Sequence, residues 1–424
     1  MAVDTPARIV ILGAGPIGVE AALYARFLGY EVTLLDRGVV GANLLAWGHV
    51  SLFTPFAMNR TPLGVSALLA QDPDFPIPAD DAILTGRDYV RKYLRPLAES
   101  DLVFDSLMRG FEVLGVGRKG RFKGDDIGSP DRADNPFVTL IRDQDGHEST
   151  IESEVVIDCT GVFGNSRYLG EGGIPAIGEL SCRDHVEIGI PDLDGSQRNQ
   201  YAARHTLVIG SGYTAATNIL NLSRLARESL DTHVTWITRE AMPEQGDGPV
   251  RQIEGDRLPR RAALAAEANR IASSDDGHVT HWPETAVHAI HQDTHSDHFQ
   301  VTLTGKHAGI HTFDRVIANV GYRPDWAPQR ELQLATCYAT EGPLKLAAHL
   351  LGEQTADCLD VLAGEGDLLL NPEPNFYVLG TKSYGRNPNF LLQSGYEQIR
   401  MLFAILGDRE NLNLYATPLS TSSE

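Results

Sequence analysis

The sequence predicts an α/β protein with two parallel-sheet domains, each Rossmann-like and three-layered. Three observations carry this. A strand–glycine turn–helix–strand unit runs from Arg8 to Asp36. A second such unit begins near His205. The two glycine motifs begin 197 residues apart, at Gly13 and Gly210, so each can serve a domain of its own.

The first unit explains itself residue by residue. Arg8 to Leu12 is a short β-branched run, the mark of a buried parallel strand. Gly13-Ala14-Gly15-Pro16-Ile17-Gly18 follows at once, a G-x-G-x-x-G sequence, and a helical pattern then runs to Gly29. Gly13 permits the tight turn, Gly15 lets a pyrophosphate approach the backbone, and Gly18 lets the helix pack on the strand. The free N–H groups at the helix start face the phosphates. Glu31 to Leu35 is the second strand. Asp36 closes it, 18 residues past Gly18, near the distance expected for a carboxylate that accepts ribose hydroxyls.

Composition narrows the function. A chain of 424 residues suggests two or three domains. A net charge of −20 argues against a broad nucleic-acid or anionic-membrane surface. No apolar run is long enough to span a bilayer. The first strand starts almost at the N-terminus, which leaves no room for a signal peptide and makes the cytoplasm the expected location. Cys159, Cys182, Cys337 and Cys358 are widely spaced, so no dithiol motif or zinc knuckle is indicated.

Gly38 to Pro62 is long, aromatic and without a clean period. Trp47, His49, Phe53, Phe56 and Asn59 can line a ring-binding cavity; packing is the competing role. Thr85 to Leu97 reads as a helix. Glu112 to Val116 and Phe137 to Ile141 read as strands around a polar loop. Glu154 to Ile157 is a further strand, ending in Asp158-Cys159-Thr160-Gly161. A strand closing on Thr160-Gly161 can bring backbone close to a cofactor. Cys159 reads as a small buried residue.

Thr206 to Ile209 opens the second unit, with Gly210-Ser211-Gly212-Tyr213-Thr214-Ala215 as G-x-G-x-x-A. A helix follows to Arg227, then a strand, Val234 to Ile237. Thr238-Arg239 stands where the first unit has Asp36. A guanidinium there suits a 2′-phosphate, so NADP is expected over NAD; a merely solvent-exposed arginine is the alternative. Asp256 to Ala272 reads as a helix with Arg257, Arg260 and Arg261 at its start. His278, His281, His288, His291, His295 and His298 invite a metal reading, but strand alternation scatters them and no metal site is expected. Phe313 to Val320 reads as a strand leading to Gly321-Tyr322-Arg323-Pro324-Asp325. Leu344 to Leu351 reads as a short helix. Asn375 to Leu379 is a last strand, running into Gly380. Asn387-Pro388 reads as the cap and first residue of a helix from Asn389 to Leu406, and a loose polar tail follows Asn413.

Assembled, the chain resembles flavoproteins with two dinucleotide-binding domains, in which FAD sits on the first glycine motif and NADPH on the second. The resemblance rests on GAGPIG with Asp36, DCTG at 158–161, GSGYTA with Arg239, ANVGYRPD at 318–325 and VLGTKSYGRNPNFLLQSGYEQI near the end. It implies an FAD domain at 1–195 and 326–424 with an NADPH domain inserted at 196–325. The implied cofactor contacts are Gly13, Gly15, Pro16, Ile17, Gly18, Asp36, Arg37, Trp47, Val113, Thr160, Gly161, Gly380, Asn389 and Phe390 for FAD. Gly210, Gly212, Tyr213, Thr214, Arg239 and Gly321 complete the set for NADPH. Thr381 and Lys382 stand where the group has an acid after its closing glycine.

Within this group the chain is most similar to class B flavin-containing monooxygenases and related monooxygenases of arsenic-resistance operons. AWGHVSLFTPF, then DFPIP and a helix at about 85–97, occur there in that order. The monooxygenase sequence F-x-G-x-x-x-H is absent, and His185 has the wrong spacing. The resemblance implies an enzyme that forms a peroxyflavin with molecular oxygen and oxygenates a small soft nucleophile or carbonyl. His49 and Asn59 are the candidate catalytic residues. Two other readings stand: a reductase or oxidase serving a quinone, a protein partner or oxygen, and an FAD-binding redox sensor with slow turnover.

Overall fold

The computed structural model describes residues 2–242, 248–274, 277–293, 298–352 and 366–416. His295, Cys358 and the tail beyond residue 416 lie outside them. The chain divides into two units, residues 1–165 with 323–424, and residues 166–322.

The first unit holds strands β1 (Arg8–Leu12), β2 (Glu31–Asp36), β3 (Leu107–Arg109), β4 (Glu112–Arg118), β5 (Phe137–Arg142), β6 (Glu148–Ser153) and β7 (Val155–Asp158). Its main sheet is parallel, in the order Phe376–Val378, β7, β1, β2, β3. The closing strand Phe376–Val378 thus joins the first sheet although it follows the whole second unit. Ile9 to Leu12 are at most 1% exposed, as central strands covered on both faces require. Helix α1 (Pro16–Phe27) packs beside the closing helix Leu392–Leu406, and the Tyr24 and Phe403 rings stack at 5.0 Å. Helix α2 (Pro62–Gln71) is capped by Thr61, whose Oγ1 accepts from Gly64 N.

Strands β4, β5 and β6 form a separate antiparallel sheet. A buried triad ties this region to the run into the closing strand. Arg118 Nε and Arg132 Nε donate to Glu373 at 2.8 and 3.0 Å, and the Arg118 guanidinium lies 3.6 Å over the Phe137 ring.

The second unit repeats this plan. Strands β8 (His205–Ile209), β9 (His233–Ile237), β10 (Val279–Trp282) and a later strand form a parallel sheet, and β11 (Thr285–Asp293), β12 (His298–Gly305) and β13 (Gly309–Phe313) an antiparallel one. The later strand is β14 (Arg315–Ala318), which pairs with β8. Helices α3 (Tyr213–Glu228) and α4 (Pro259–Ala272) enclose a core of Val208, Ile219, Leu222, Trp236, Ala268 and Ile271.

Four expectations need correction. Residues 166–195 belong to the second unit, because Gly170 and Ile177 bridge to β11 and Glu187 to β14. Residues 323–325 belong to the first, where Arg323 N donates to Asn165 O. The single strand expected over Phe313 to Val320 is two, since Phe313 ends the antiparallel hairpin and Arg315 starts a parallel strand. The last helix starts at Leu392, not Asn389. Asn387 Oδ1 accepts from Asn389 N in a local turn instead of capping that helix. No described helix is long and apolar enough to cross a membrane.

Candidate functional site

The three glycines of the first turn have different surroundings. Gly13 has φ of +97°, and a Cβ there would sit 2.8 Å from the Cys159 carbonyl oxygen. A Cβ on Gly18 would overlap the Gly13 carbonyl. A Cβ on Gly15 would meet nothing within 4 Å. Gly13 and Gly18 are therefore glycines for packing, and Gly15 is the one that faces open space. Gly15 is the N-cap of α1 with no side-chain cap, and Pro16 fills the first turn. Such a terminus suits an anion.

Asp36 ends β2 half-buried beside this turn. Its Oδ2 accepts from Ala14 N at 2.7 Å and its Oδ1 from Gly38 N at 2.8 Å. The carboxylate is held by backbone on both oxygens, and each oxygen keeps a further acceptor direction for a hydroxyl. Arg37 is exposed, its guanidinium against Gly164.

Two further turns meet the first. Thr160 Cα lies 3.0 Å from the Cβ position of Gly13. Gly161 has φ of +70°, and its Cβ position is 3.2 Å from Thr381 Oγ1. Gly380 has φ of +73°, with its Cβ position 3.3 Å from Ile17 Cγ1, and its N–H donates to Gln398 Oε1 at 2.9 Å. Burial pushes the Cys159 thiol well up, which suits the packing role expected of it. Phe390 lies edge-on to Tyr384 at 5.2 Å, beside Asn389 and ahead of the closing helix. Val113 is half-buried on β4 opposite Ile141.

The aromatic loop divides by role. Phe56 is fully buried, edge-on to Tyr93 at 5.3 Å. Trp47 packs at Gly86, where a Cβ would lie 3.0 Å from Cζ3. Asn59, expected to reach a flavin edge or peroxide, is a clasp within its own loop. Its Oδ1 accepts from Thr54 Oγ1 at 2.8 Å and its Nδ2 donates to the Thr54 and Pro55 carbonyls. That amide is engaged on both sides, and the residue is 3% exposed. His49 differs: its Nε2 is buried and has no hydrogen-bond partner among the described residues.

The second turn repeats the first. Gly210 has φ of +129°, and a Cβ there would overlap the Asn319 carbonyl. A Cβ on Gly212 would meet nothing within 4 Å among the described residues, and Gly212 is the N-cap of α3 with no side-chain cap. Tyr213 and Thr214 begin that helix half-buried, and Gly321 has φ of +87°. Arg239 is exposed two residues past β9. The preceding Thr238 hydroxyl meets His281 Nε2 at 2.9 Å, and burial lowers the His281 ring to about 4. His307 and His311 flank Trp282 at 4.6 and 5.0 Å. Among the described residues, the grouped potential metal ligands are Asp143, Asp145 and His147 in the β5–β6 turn, not these histidines.

Residues 2–40 match the pyridine nucleotide-disulphide oxidoreductase family. That span is β1, the glycine turn, α1, β2 and Asp36. No curated protein matches the sequence. Among solved structures, bacillithiol disulfide reductase from Bacillus cereus is 16% identical, with 95% of this chain and 99% of that one covered and a TM-score of 0.65. The FAD-bound cadaverine monooxygenase of desferrioxamine biosynthesis from Erwinia amylovora is 13% identical over 99% and 100%, at 0.60. Ornithine hydroxylase from Pseudomonas aeruginosa is 15% identical over 96% and 100%, at 0.58. At these identities the likeness is one of fold.

One feature beside the site was not read from the sequence. Glu20, two residues past Gly18, is 1% exposed. Thr61 Oγ1 donates to its Oε1 at 2.7 Å. Burial raises its carboxyl to about 7, against the opposing pull of that hydrogen bond. Above it, the Tyr89 and Tyr396 hydroxyls both donate to the Asn59 carbonyl, at 2.8 and 2.7 Å. The available signal was a lone acid in the apolar run VEAALYA.

Proposed function

We propose that the chain is an FAD- and NADPH-dependent oxidoreductase, with FAD on the first unit and NADPH on the second. The observation that carries this is the repeated turn. Each unit places a glycine with open space beside it at an uncapped helix N-terminus, on a parallel sheet. In this reading Gly15 and the first N–H groups of α1 hold the FAD pyrophosphate, and Asp36 accepts the ribose hydroxyls. Gly212 and the start of α3 do the same for NADPH, and Arg239 reads its 2′-phosphate. The family match over residues 2–40 supports the first assignment.

When bound, the flavin would supply the redox chemistry, a two-electron transfer from NADPH to an acceptor. The chain's part is to bind and orient the cofactors. The buried Nε2 of His49 is a group able to exchange a hydrogen bond with a flavin edge or substrate, depending on its tautomer.

For the onward step we favour monooxygenation of a small soft nucleophile or carbonyl, with molecular oxygen as co-substrate. The widely spaced cysteines favour it over dithiol exchange, and the described ones, Cys159, Cys182 and Cys337, are separate thiols. The absent F-x-G-x-x-x-H sequence favours the second reading, a reductase or oxidase. Purified protein should be yellow with FAD and should oxidise NADPH. Label from ¹⁸O₂ in an organic product would establish monooxygenation; substrate-dependent NADPH oxidation without label would establish the reductase. A colourless protein that binds no FAD would refute the proposal.

A further inference from the structure

Lys382 and Asp158 form a buried ion pair at the floor of the first glycine turn. Lys382 is 2% exposed and Asp158 fully buried, with Nζ 2.6 Å from Oδ2. Two buried charges are costly unless every remaining site is satisfied. Here the satisfaction is extensive. Asp158 Oδ2 also accepts from Gln329 Nε2 at 2.9 Å, and Oδ1 accepts from Thr160 N at 3.0 Å and Thr160 Oγ1 at 2.6 Å. Lys382 Nζ is 3.3 Å from Thr160 Oγ1 and 4.7 Å above the Trp326 ring.

The position of the pair gives it meaning. Asp158 ends β7, and Lys382 lies four residues past the closing strand, so the pair joins the C-terminal ends of neighbouring parallel strands. Open α/β sheets bind ligands at those ends. The pair reaches upward through Thr160, which is exposed. Gly13, Gly161 and Gly380, all with positive φ, pack closely there on Thr160, Thr381 and Ile17, their Cβ positions 3.0, 3.2 and 3.3 Å away. A small shift at Thr160 would move the surface on which a dinucleotide lies.

We propose that Lys382 is a positioning residue of the first dinucleotide site. Through Asp158 and Thr160 it fixes the 160–161 turn against the Gly380 turn. The inference rests on the assignment of FAD to this unit. It gives Lys382 a role that does not require the side chain to touch the cofactor.

The test uses full-length K382M, D158N, K382M/D158N and T160V. Each is measured for thermal midpoint without FAD, for FAD affinity by flavin fluorescence, and for the visible absorption of bound flavin. K382M and D158N should each lower the midpoint, because one buried charge is stranded. The double variant should regain the midpoint yet bind FAD at least about tenfold more weakly, because the 160–161 turn is no longer fixed, and with a shifted absorption band. T160V keeps both charges but removes the Thr160 hydroxyl from Asp158, so it should lower the midpoint less than either charge variant while weakening FAD binding, and it carries the test if the charge variants fail to fold. Recovery of both midpoint and FAD affinity in the double variant would overturn the proposal, leaving a clamp for the fold alone. Unchanged FAD affinity in T160V would do the same. Wild-type protein that binds no FAD would instead overturn the functional reading beneath it.

Discussion

At the first turn, Gly18 lies so close to the Gly13 carbonyl that no side chain fits; at the second, the matching residue is Ala215, whose methyl group is fully buried without conflict. The first glycines match as well, since a Cβ on Gly13 would press on the residue after β7 and a Cβ on Gly210 on the residue after β14. The middle glycines, Gly15 and Gly212, both face open space. The last position of the glycine motif therefore reports how closely a helix approaches its turn, and the middle position reports where a ligand fits. Two residues further along, the units part again. Glu20 is a buried carboxyl, whereas Thr217 donates to its own helix at Tyr213 O, 2.9 Å away.

The most severe test is Gly18→Val. It should unfold the first unit or destabilise it by about 3 kcal/mol or more, because backbone must move to admit the side chain. Ala215→Gly should cost about 1–2 kcal/mol, the sum of lost helix propensity and one buried methyl group. Thermal or urea unfolding of both variants measures the contrast, and equal losses would erase it.

Gly15→Val and Gly212→Val separate ligand from fold. Each should leave the stability of the cofactor-free protein within about 0.5 kcal/mol. Gly15→Val should lose FAD on gel filtration, and Gly212→Val should keep FAD but fail to be reduced by NADPH. Full FAD occupancy in Gly15→Val would show that the open space beside Gly15 is not the phosphate site.

The loss of stability with rising pH should reside in the first unit, because the lowered His281 ring of the second unit acts with the opposite sign. The folded Glu20 carboxyl is raised to about 7 from 4.5, so the folded state holds its proton more tightly than the unfolded chain. The resulting stability is complete below about pH 4.5 and is lost as pH rises through 7, a change of about 3 kcal/mol. Glu20→Gln should remove that slope and be more stable than wild type at pH 8. Urea unfolding at pH 5 and pH 8 reads both effects, and a pH dependence in the variant unchanged from wild type assigns it to another group.

The smallest effect concerns coenzyme choice. Arg239→Ala should remove roughly 1.5–3 kcal/mol of charged contact, raising the KM for NADPH about 10- to 100-fold with little change for NADH. FAD content should not change, since Asp36 lies on the other unit. Equal losses with both coenzymes would give Arg239 a role in the fold.

Both turns were legible because their chemistry is local: a strand, fixed glycine spacings and a helix within thirty residues. The return of the closing strand to the first sheet was legible through its resemblance to a known closing segment. Features set by distant partners were not. Lys382 and Asp158 are 224 positions apart, and nothing near either residue announces the other. Strand β6 was missed because its first three residues, Glu148, Ser149 and Thr150, are all exposed and polar, so no apolar alternation marks it. The break between β13 and β14 falls at Asp314, directly beside the apolar run Val316 to Ala318, where Asp314 turns the chain and its carboxylate accepts from His205 N. The misplaced helix start has the opposite cause, since Asn387-Pro388 is a plausible cap by composition but is used in a turn. Asn59 likewise looked chemical in the sequence and closes its own loop in the structure.

The split of the first unit has a consequence for synthesis. When the ribosome has added residue 322, every strand of the second unit has been made, while the first still lacks the strand Phe376–Val378 and the helix that covers α1. Domains fold as units as their segments emerge. The second unit can therefore fold first, although the first unit's glycine turn was made some two hundred residues earlier. A premature stop near residue 370 would leave a chain competent at Gly210 and Gly212 but unfinished around Gly13, with one face of α1 uncovered. Nascent chains of increasing length should gain protease resistance in that order, inner segment before outer.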